Sequence, residues 1–131
     1  MTLIDTSAWV EFLRATGSAT HQRLKAILES GGEILTTEPV ALELLAGVNS
    51  PADRIRVKRT LAACRLVSIQ NAADWEDAAS IYLACRRSGA TPGELLDCLI
   101  AAVAIRAGVP VLTQGRDFEL IAEHTPLELV P

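Results

Sequence analysis

The sequence predicts an α/β fold, a mostly parallel central sheet of about four to five short strands flanked by helices. Three observations carry this. Short apolar runs alternate along the chain with segments of helical periodicity, the order that builds a parallel sheet through right-handed crossovers. Half of the residues are hydrophobic but only 4% are aromatic, so the core is Leu, Ile, Val and Ala, a composition suited to helices packed on a parallel sheet. The 131 residues contain no repeat, low-complexity tract or linker. They read as one domain over 1–131, large enough to bury about two thirds of its unfolded surface.

The elements follow in order. "MTLID" is a short apolar run ending in an acid, a buried strand. "TSAWVEFLRATG" is a helix with Thr6 or Ser7 as N-cap and Gly17 as its stop. "HQRLKAILESGG" places Leu24, Ile27 and Leu28 at helical spacing and ends at Gly31. "EILTT" is the second strand, and "EPVALELLAG" a helix with Pro39 in its first turn and Gly47 beyond its end. "SPAD" starts the next helix, with Ser50 as cap and Pro51 at the first helical position, running to about Cys64. "RLVSI" is the third strand. "NAADWEDAASIYLACRRSG" is amphipathic, with Trp75, Ala78, Ala79, Tyr82 and Cys85 on one face. "LLDCLIAAVAIRAG" is an apolar helix, "VPVLT" a strand, "DFELIAEH" a short helix and "PLELV" a last strand.

Composition excludes several classes. No apolar run reaches the roughly 18 residues that span a bilayer, and no basic segment precedes a cleavable apolar stretch. Cys64, Cys85 and Cys98 are odd in number and lie in apolar periodic segments, so they read as reduced core residues of a cytoplasmic protein. A net charge of −4 argues against non-specific DNA coating, but is compatible with a nuclease whose acidic site is neutralised by metal ions.

Chemistry is concentrated in four acids. In parallel sheets ligands bind beyond the carboxyl ends of the strands. Asp5 ends the first strand, and Asp117 follows "VPVLT". Glu43 lies in the first two turns of its helix, and Asp97 in the first turn of a segment where every other residue from Leu95 to Ile105 is apolar. Each has a plain alternative: Asp5 as a loop residue or cap, Glu43 on a solvent stripe, Asp97 against a helix dipole, Asp117 as an N-cap. Gathered at one sheet edge, they repel one another and stay ionised when a cation holds them. An all-carboxylate set suits Mg²⁺ or Mn²⁺. Zn²⁺ is disfavoured because no His or Cys is placed to help, and His21 and His124 read as isolated and solvent-facing.

The segments "LIDTSAW", "EPVALELLAG", "LLDCLIAAVAIRAGVPVLT" and "RDFELIA" resemble the PIN-domain ribonucleases, specifically the VapC toxins of bacterial toxin–antitoxin pairs. The resemblance covers nearly the whole chain, and the order and spacing of the acids are its most specific part. It implies a PIN-like fold with an Mg²⁺- or Mn²⁺-dependent endoribonuclease site. Asp5, Glu43 and Asp97 fall on the family's three most regular acidic positions. The fourth region, "TQGRDF", matches at Thr113 and Asp117, but Gly115 stands where the family has an acid or amide.

The chemistry expected is phosphodiester hydrolysis in RNA. Asp5 and Asp97 would be direct ligands, and Glu43 a direct or water-mediated one. Asp117 would complete the site or hold a second ion. Thr6, Ser7 and Thr113 would hydrogen-bond the carboxylates or ligand waters, Thr6 and Ser7 being equally good helix caps. Arg14 and Arg116 flank the acids and are the candidates for phosphate contacts. Arg54, Arg56, Lys58, Arg59 and Arg65 form one helix-borne basic group and Arg86 with Arg87 another, each either an RNA contact or an ordinary solvated face. Scarce aromatics favour folded RNA read by shape. The resemblance implies tRNA, less often ribosomal RNA. It also implies a VapB-like antitoxin and toxin dimerisation; Trp9, Phe12 and Leu13 would line the antitoxin's groove or belong to the core. Two other readings stand beside this one, a phosphoacceptor receiver domain and a nuclease-dead PIN fold that binds RNA or protein.

Overall fold

The computed structural model describes residues 1–131. Its elements are β1 (Thr2–Ile4), α1 (Thr6–Leu13), α2 (Ala19–Glu29), β2 (Ile34–Thr36), α3 (Glu38–Ala46), α4 (Pro51–Ala62), β3 (Arg65–Leu66), α5 (Asn71–Arg87), α6 (Leu95–Ala107), β4 (Val111–Leu112) and α7 (Arg116–His124). The four strands form one sheet in the order β3-β2-β1-β4, and every pairing is parallel. Leu3 and Ile4 of central β1 are fully buried, as are Val111 of β4 and most of α6. All four strands therefore end at one edge, and the connections to α1, α3 and α7 start there.

Local chemistry explains most boundaries. Ser18 accepts from the His21 amide at 3.1 Å and opens α2. Ser50 accepts from the Asp53 amide at 3.1 Å ahead of Pro51 and opens α4. Gly108 closes α6 at φ 66°, a left-handed turn that costs glycine nothing.

Five expectations need correction. The cap of α1 is Asp5, the plain alternative weighed for that acid, and not Thr6 or Ser7: its backbone is still extended, and its carboxylate accepts from the Ser7 amide. The same helix stops at Leu13 rather than Gly17, because Ala15 turns left-handed at φ 51°. "PLELV" forms no strand, only an isolated parallel bridge between Leu129 and Val111. Pro126 and Pro131 lack the amide hydrogens that would extend pairing, and two backbone bonds, Val111 N to Glu128 O and Val130 N to Val111 O, hold the segment. Trp75 leaves the buried face of α5 and is 57% exposed, while Ala78 and Cys85 are buried. His21 is half-buried rather than solvent-facing. Its Nδ1 accepts from the Gly17 amide at 2.9 Å, and its ring stands edge-on to Phe12.

One ion pair, buried at Asp74 and partly exposed at Arg106, sets how α6 lies. Asp74, fully buried in the first turn of α5, accepts from Arg106 Nε at 3.0 Å and Nη2 at 2.9 Å. Arg106 also donates to the Ser68 carbonyl, and the Gln70 amide donates to Asp74. The Arg106 hydrogen bonds hold the Asp74 carboxyl below its ordinary range. This clamp fastens the last turn of α6 to the start of α5, leaving the first turn of α6 at the sheet edge. Asp74→Ala leaves a partly buried guanidinium unpaired, which costs about 3–5 kcal/mol for a buried pair. Urea unfolding should show a loss near the low end of that range, because Arg106 is partly exposed; a loss below 1 kcal/mol would remove the clamp's structural role.

Candidate functional site

The strand-end acids converge. One carboxylate oxygen each from Asp5, Glu43 and Asp97 lies within 4.8 Å of the others. Asp5 comes from the end of β1, Glu43 from the second turn of α3 and Asp97 from the first turn of α6. Oxygens on opposite sides of an octahedral Mg²⁺ are about 4.2 Å apart, with bonds of about 2.1 Å, so the spacing is close to what one hard ion needs.

The hydrogen bonds around Asp5 divide its two oxygens. Oδ2 accepts from the Ser7 hydroxyl at 2.6 Å, the Thr113 hydroxyl at 3.0 Å and the Ser7 amide at 3.3 Å. Oδ1 is buried and has no partner, on a residue only 3% exposed. An orphaned buried carboxylate oxygen costs free energy unless a cation completes it. The residues present therefore fit a divalent ion, with Oδ1 as the free ligand atom.

Glu43 is held likewise: Thr6 donates to its Oε1 at 2.9 Å. Burial pushes its carboxyl up, helped by the charges of Asp5 and Glu94 and opposed by the Thr6 bond. The effect is larger at Asp97, where burial first, then the charges of Asp5, Asp117 and Glu43, raise the pKa to about 8. Burial first and repulsion among the acids second thus favour the neutral acid at Asp97 when no ion is bound.

Asp117 adjoins the three, with its side chain hydrogen-bonded to that of Asp97. Its Oδ2 accepts from the Gly93 amide at 2.9 Å, tethering the turn before α6, while its charge still bears on Asp97. Gly115 is the N-cap of α7 at φ −88°, a conformation open to any residue. A Cβ there would lie 3.3 Å from Thr113 Oγ1 and 3.9 Å from Ser7 Oγ, in the network that holds Asp5. The Gln114 amide donates to Ser7 Oγ at 2.9 Å and the Gly115 amide to Thr113 Oγ1 at 2.8 Å, while the Thr20 hydroxyl holds the Gln114 side chain.

The basic candidates separate. Arg14 lines a cleft with Thr6 and Glu43, and Arg56 joins it. Arg116 is exposed at the start of α7, and Arg86 and Arg87 are exposed at the end of α5. Arg65 pairs with Glu33 at 3.1 Å. The apolar residues of α1 also divide: Trp9 and Phe12 line a groove of about 520 Å³ with Leu28 and Ile34, whereas Leu13 lines the cleft beside Glu43. Sequence reasoning missed Glu94, whose charge reaches Glu43. Its signal was the three-residue spacing to Asp97, which puts both on one side of a helix start.

Residues 2–124 match the PIN domain family. The ribonuclease VapC11 of Mycobacterium tuberculosis is 40% identical over 129 residues, covering 98% of this chain and 96% of that protein. The chain belongs to the VapC ribonucleases of the PIN-domain family. Solved structures agree on the fold. VapBC2 from Rickettsia felis, bound to a DNA fragment from its promoter, superposes with TM-score 0.78 at 16% identity, covering 98% of this chain and 96% of that one. Mycobacterium tuberculosis VapC20, described as a sarcin-ricin loop cleaving toxin, superposes with TM-score 0.70 at 20% identity, covering 98% and 99%. Membership in this family sets aside the receiver-domain reading. No helix is long and apolar enough to cross a membrane.

Proposed function

We propose that this VapC-family ribonuclease depends on Mg²⁺ or Mn²⁺ and serves as the toxin of a toxin–antitoxin pair. It hydrolyses phosphodiester bonds in structured RNA of the cytoplasm, tRNA ahead of ribosomal RNA, and so inhibits translation and growth. The observation that carries the reading is the meeting of Asp5, Glu43 and Asp97 around the unpartnered Asp5 Oδ1. The complete carboxylate trio also disfavours a nuclease-dead binding module.

Asp5 Oδ1, Asp97 and Glu43 would hold the ion, with Asp117, hydrogen-bonded to Asp97, as the fourth charge. When bound, a divalent ion lowers the pKa of its water, orients it in line with the phosphate and offsets developing charge. Ser7 and Thr113 lock Asp5 so that Oδ1 faces the site. Thr6 locks Glu43 through Oε1, leaving Oε2 to accept a hydrogen bond from the attacking water and align it. No histidine lies among these groups, so an imidazole acid–base pair plays no part. Arg14, with Arg116 more remote, offers the phosphate contacts. Cleavage should require Mg²⁺ or Mn²⁺, stop with EDTA and not return with Zn²⁺; full activity in EDTA would sink the reading.

The partner is a VapB-like antitoxin, for which the largely apolar 520 Å³ groove of Trp9 and Phe12 is the candidate seat. Expression of the chain alone should slow growth, and a co-expressed partner should relieve it. A second copy of the chain covers the wholly apolar cleft between α5 and α6, where Trp75 and Leu95 are 57% and 65% exposed. Leu95→Glu should convert a dimer to a monomer in sedimentation; an unchanged dimer would move the interface elsewhere.

Gly115 leaves the Thr113–Ser7 network without a side chain beyond it. Because charge count tunes cation affinity, Gly115→Asp should tighten Mn²⁺ binding by about tenfold. Calorimetry on the folded variant checks this, and unchanged affinity would mean that position 115 does not face the ion.

A further inference from the structure

We propose that the cleft between α1, α3 and the start of α4 is a nucleotide subsite, taking the base and phosphate of the RNA residue next to the scissile bond. The inference rests on the ribonuclease reading and deepens it. The cleft is lined in part by Thr6 and Glu43, two residues of the carboxylate site itself. An RNA strand whose phosphate lies on the carboxylates must continue into a neighbouring depression, and this one is contiguous with them.

Its shape and chemistry suit a single nucleotide. Leu44 and Val57, 5% and 6% exposed, make an apolar floor, with the half-buried Val10 and Val48 as sides. The volume of about 210 Å³ is below the roughly 300 Å³ at which drug-sized pockets begin, and suits one planar heterocycle. The Trp9–Phe12 groove, at about 520 Å³, is larger and lies elsewhere. No aromatic residue lines the cleft, so the base is gripped by aliphatic walls and read at its edge.

The rim supplies the polar contacts. Arg56 Nη2 donates to the Leu13 carbonyl at 2.7 Å, which anchors the guanidinium while its other N–H groups stay free for a phosphate. Arg14 has no salt-bridge partner and is exposed on the same cleft. The exposed Asn49 amide, free of hydrogen bonds within the chain, offers a donor and an acceptor to a base edge. Two cations beside an ion-holding site complement a polyanion, with Asp53 available to accept from a base amino group.

The test is a methyl NMR titration of the wild-type protein in Mg²⁺ with each of the four nucleoside 5′-monophosphates. Shifts should concentrate on the methyl groups of Val10, Leu44, Val48 and Val57. Val48→Phe, which fills the cleft, should weaken this binding and raise the KM for RNA by at least about tenfold. If that variant fails to fold, Asn49→Ala removes only exposed atoms and should alter the base preference beside the cut. The proposal is overturned if no nucleotide shifts those methyl groups, or if folded Val48→Phe keeps the wild-type KM and loses only antitoxin binding. An unaltered base preference in Asn49→Ala would likewise overturn edge reading at this cleft. A wild-type protein that cleaves no RNA with either metal would instead refute the ribonuclease reading, and the titration would still decide what the cleft binds.

Discussion

Asp97→Asn is expected to reduce RNA cleavage by at least about 10²-fold, the scale on which removing one electrostatic partner of a developing charge acts. It should also abolish growth inhibition while the protein stays folded. Asp97 occupies the first turn of an otherwise apolar helix and shares a site with Asp5 and Glu43, so the amide keeps its shape and loses its charge. Stability should move the other way. The folded-state pKa of about 8 lies above the ordinary carboxylate value of about 4, so the metal-free folded protein binds the proton more tightly than the unfolded chain. Its stability therefore falls as pH rises from about 4 to about 8. Asparagine removes that slope. At pH 8 without metal the variant should be more stable by about 1–3 kcal/mol, a figure discounted for partial exposure, and at pH 4 the two should be equal. Urea unfolding at both pH values measures this, with RNA cleavage assayed in parallel. A variant that cleaves at the wild-type rate would exclude Asp97 from the site.

The second large effect is on metal affinity. A cation binds the ionised cluster, and below pH 8 one proton must leave first. Apparent Mg²⁺ affinity should therefore rise about tenfold per pH unit between pH 6 and pH 7.5, then level off above about pH 8.5. Calorimetry in buffers of different ionisation enthalpy should detect nearly one proton released per ion at pH 6.5 and almost none at pH 9. The titration belongs to the coupled carboxyls of Asp5, Glu43, Asp97 and Asp117 as a group, so Glu43→Gln should lower the apparent value by easing repulsion on Asp97. Affinity that is flat from pH 6 to pH 8 would mean that no proton is displaced and that the carboxyls already stand ionised without a cation.

These two effects rest on the feature most legible in the sequence, a lone acid inside an apolar run. Periodicity, caps and stops act within a few residues of each other, so the alternation of strands and helices could be read directly, as could Ser50 as a cap. The parallel sheet followed from that alternation, because consecutive strands joined by helices return in the same direction. The order Asp5, Glu43, Asp97 and Asp117 at strand ends and helix starts, together with the family resemblance, points to the site.

Tertiary structure decided how each acid is used. The bond that turns Asp5 Oδ2 inward joins it to Thr113, 108 residues away, and no local pattern encodes that distance. Asp117 reaches the side chain of Asp97 while its Oδ2 accepts from the Gly93 amide, a pairing decided by how the turn before α6 folds over α7. Asp5 took the cap that Thr6 and Ser7 were equally able to fill, because its backbone was the last still extended. Trp75 left the buried face and Leu13 parted from Trp9 and Phe12 because a helix face meets whatever the neighbouring helices leave beside it. Sequence by itself determined the alternation of strands and helices up to α7 and which residues carry charge in apolar surroundings, since both are settled by neighbours along the chain. Which oxygen stays free for an ion, and which cleft adjoins it, were settled by groups brought together only when the helices packed around the sheet.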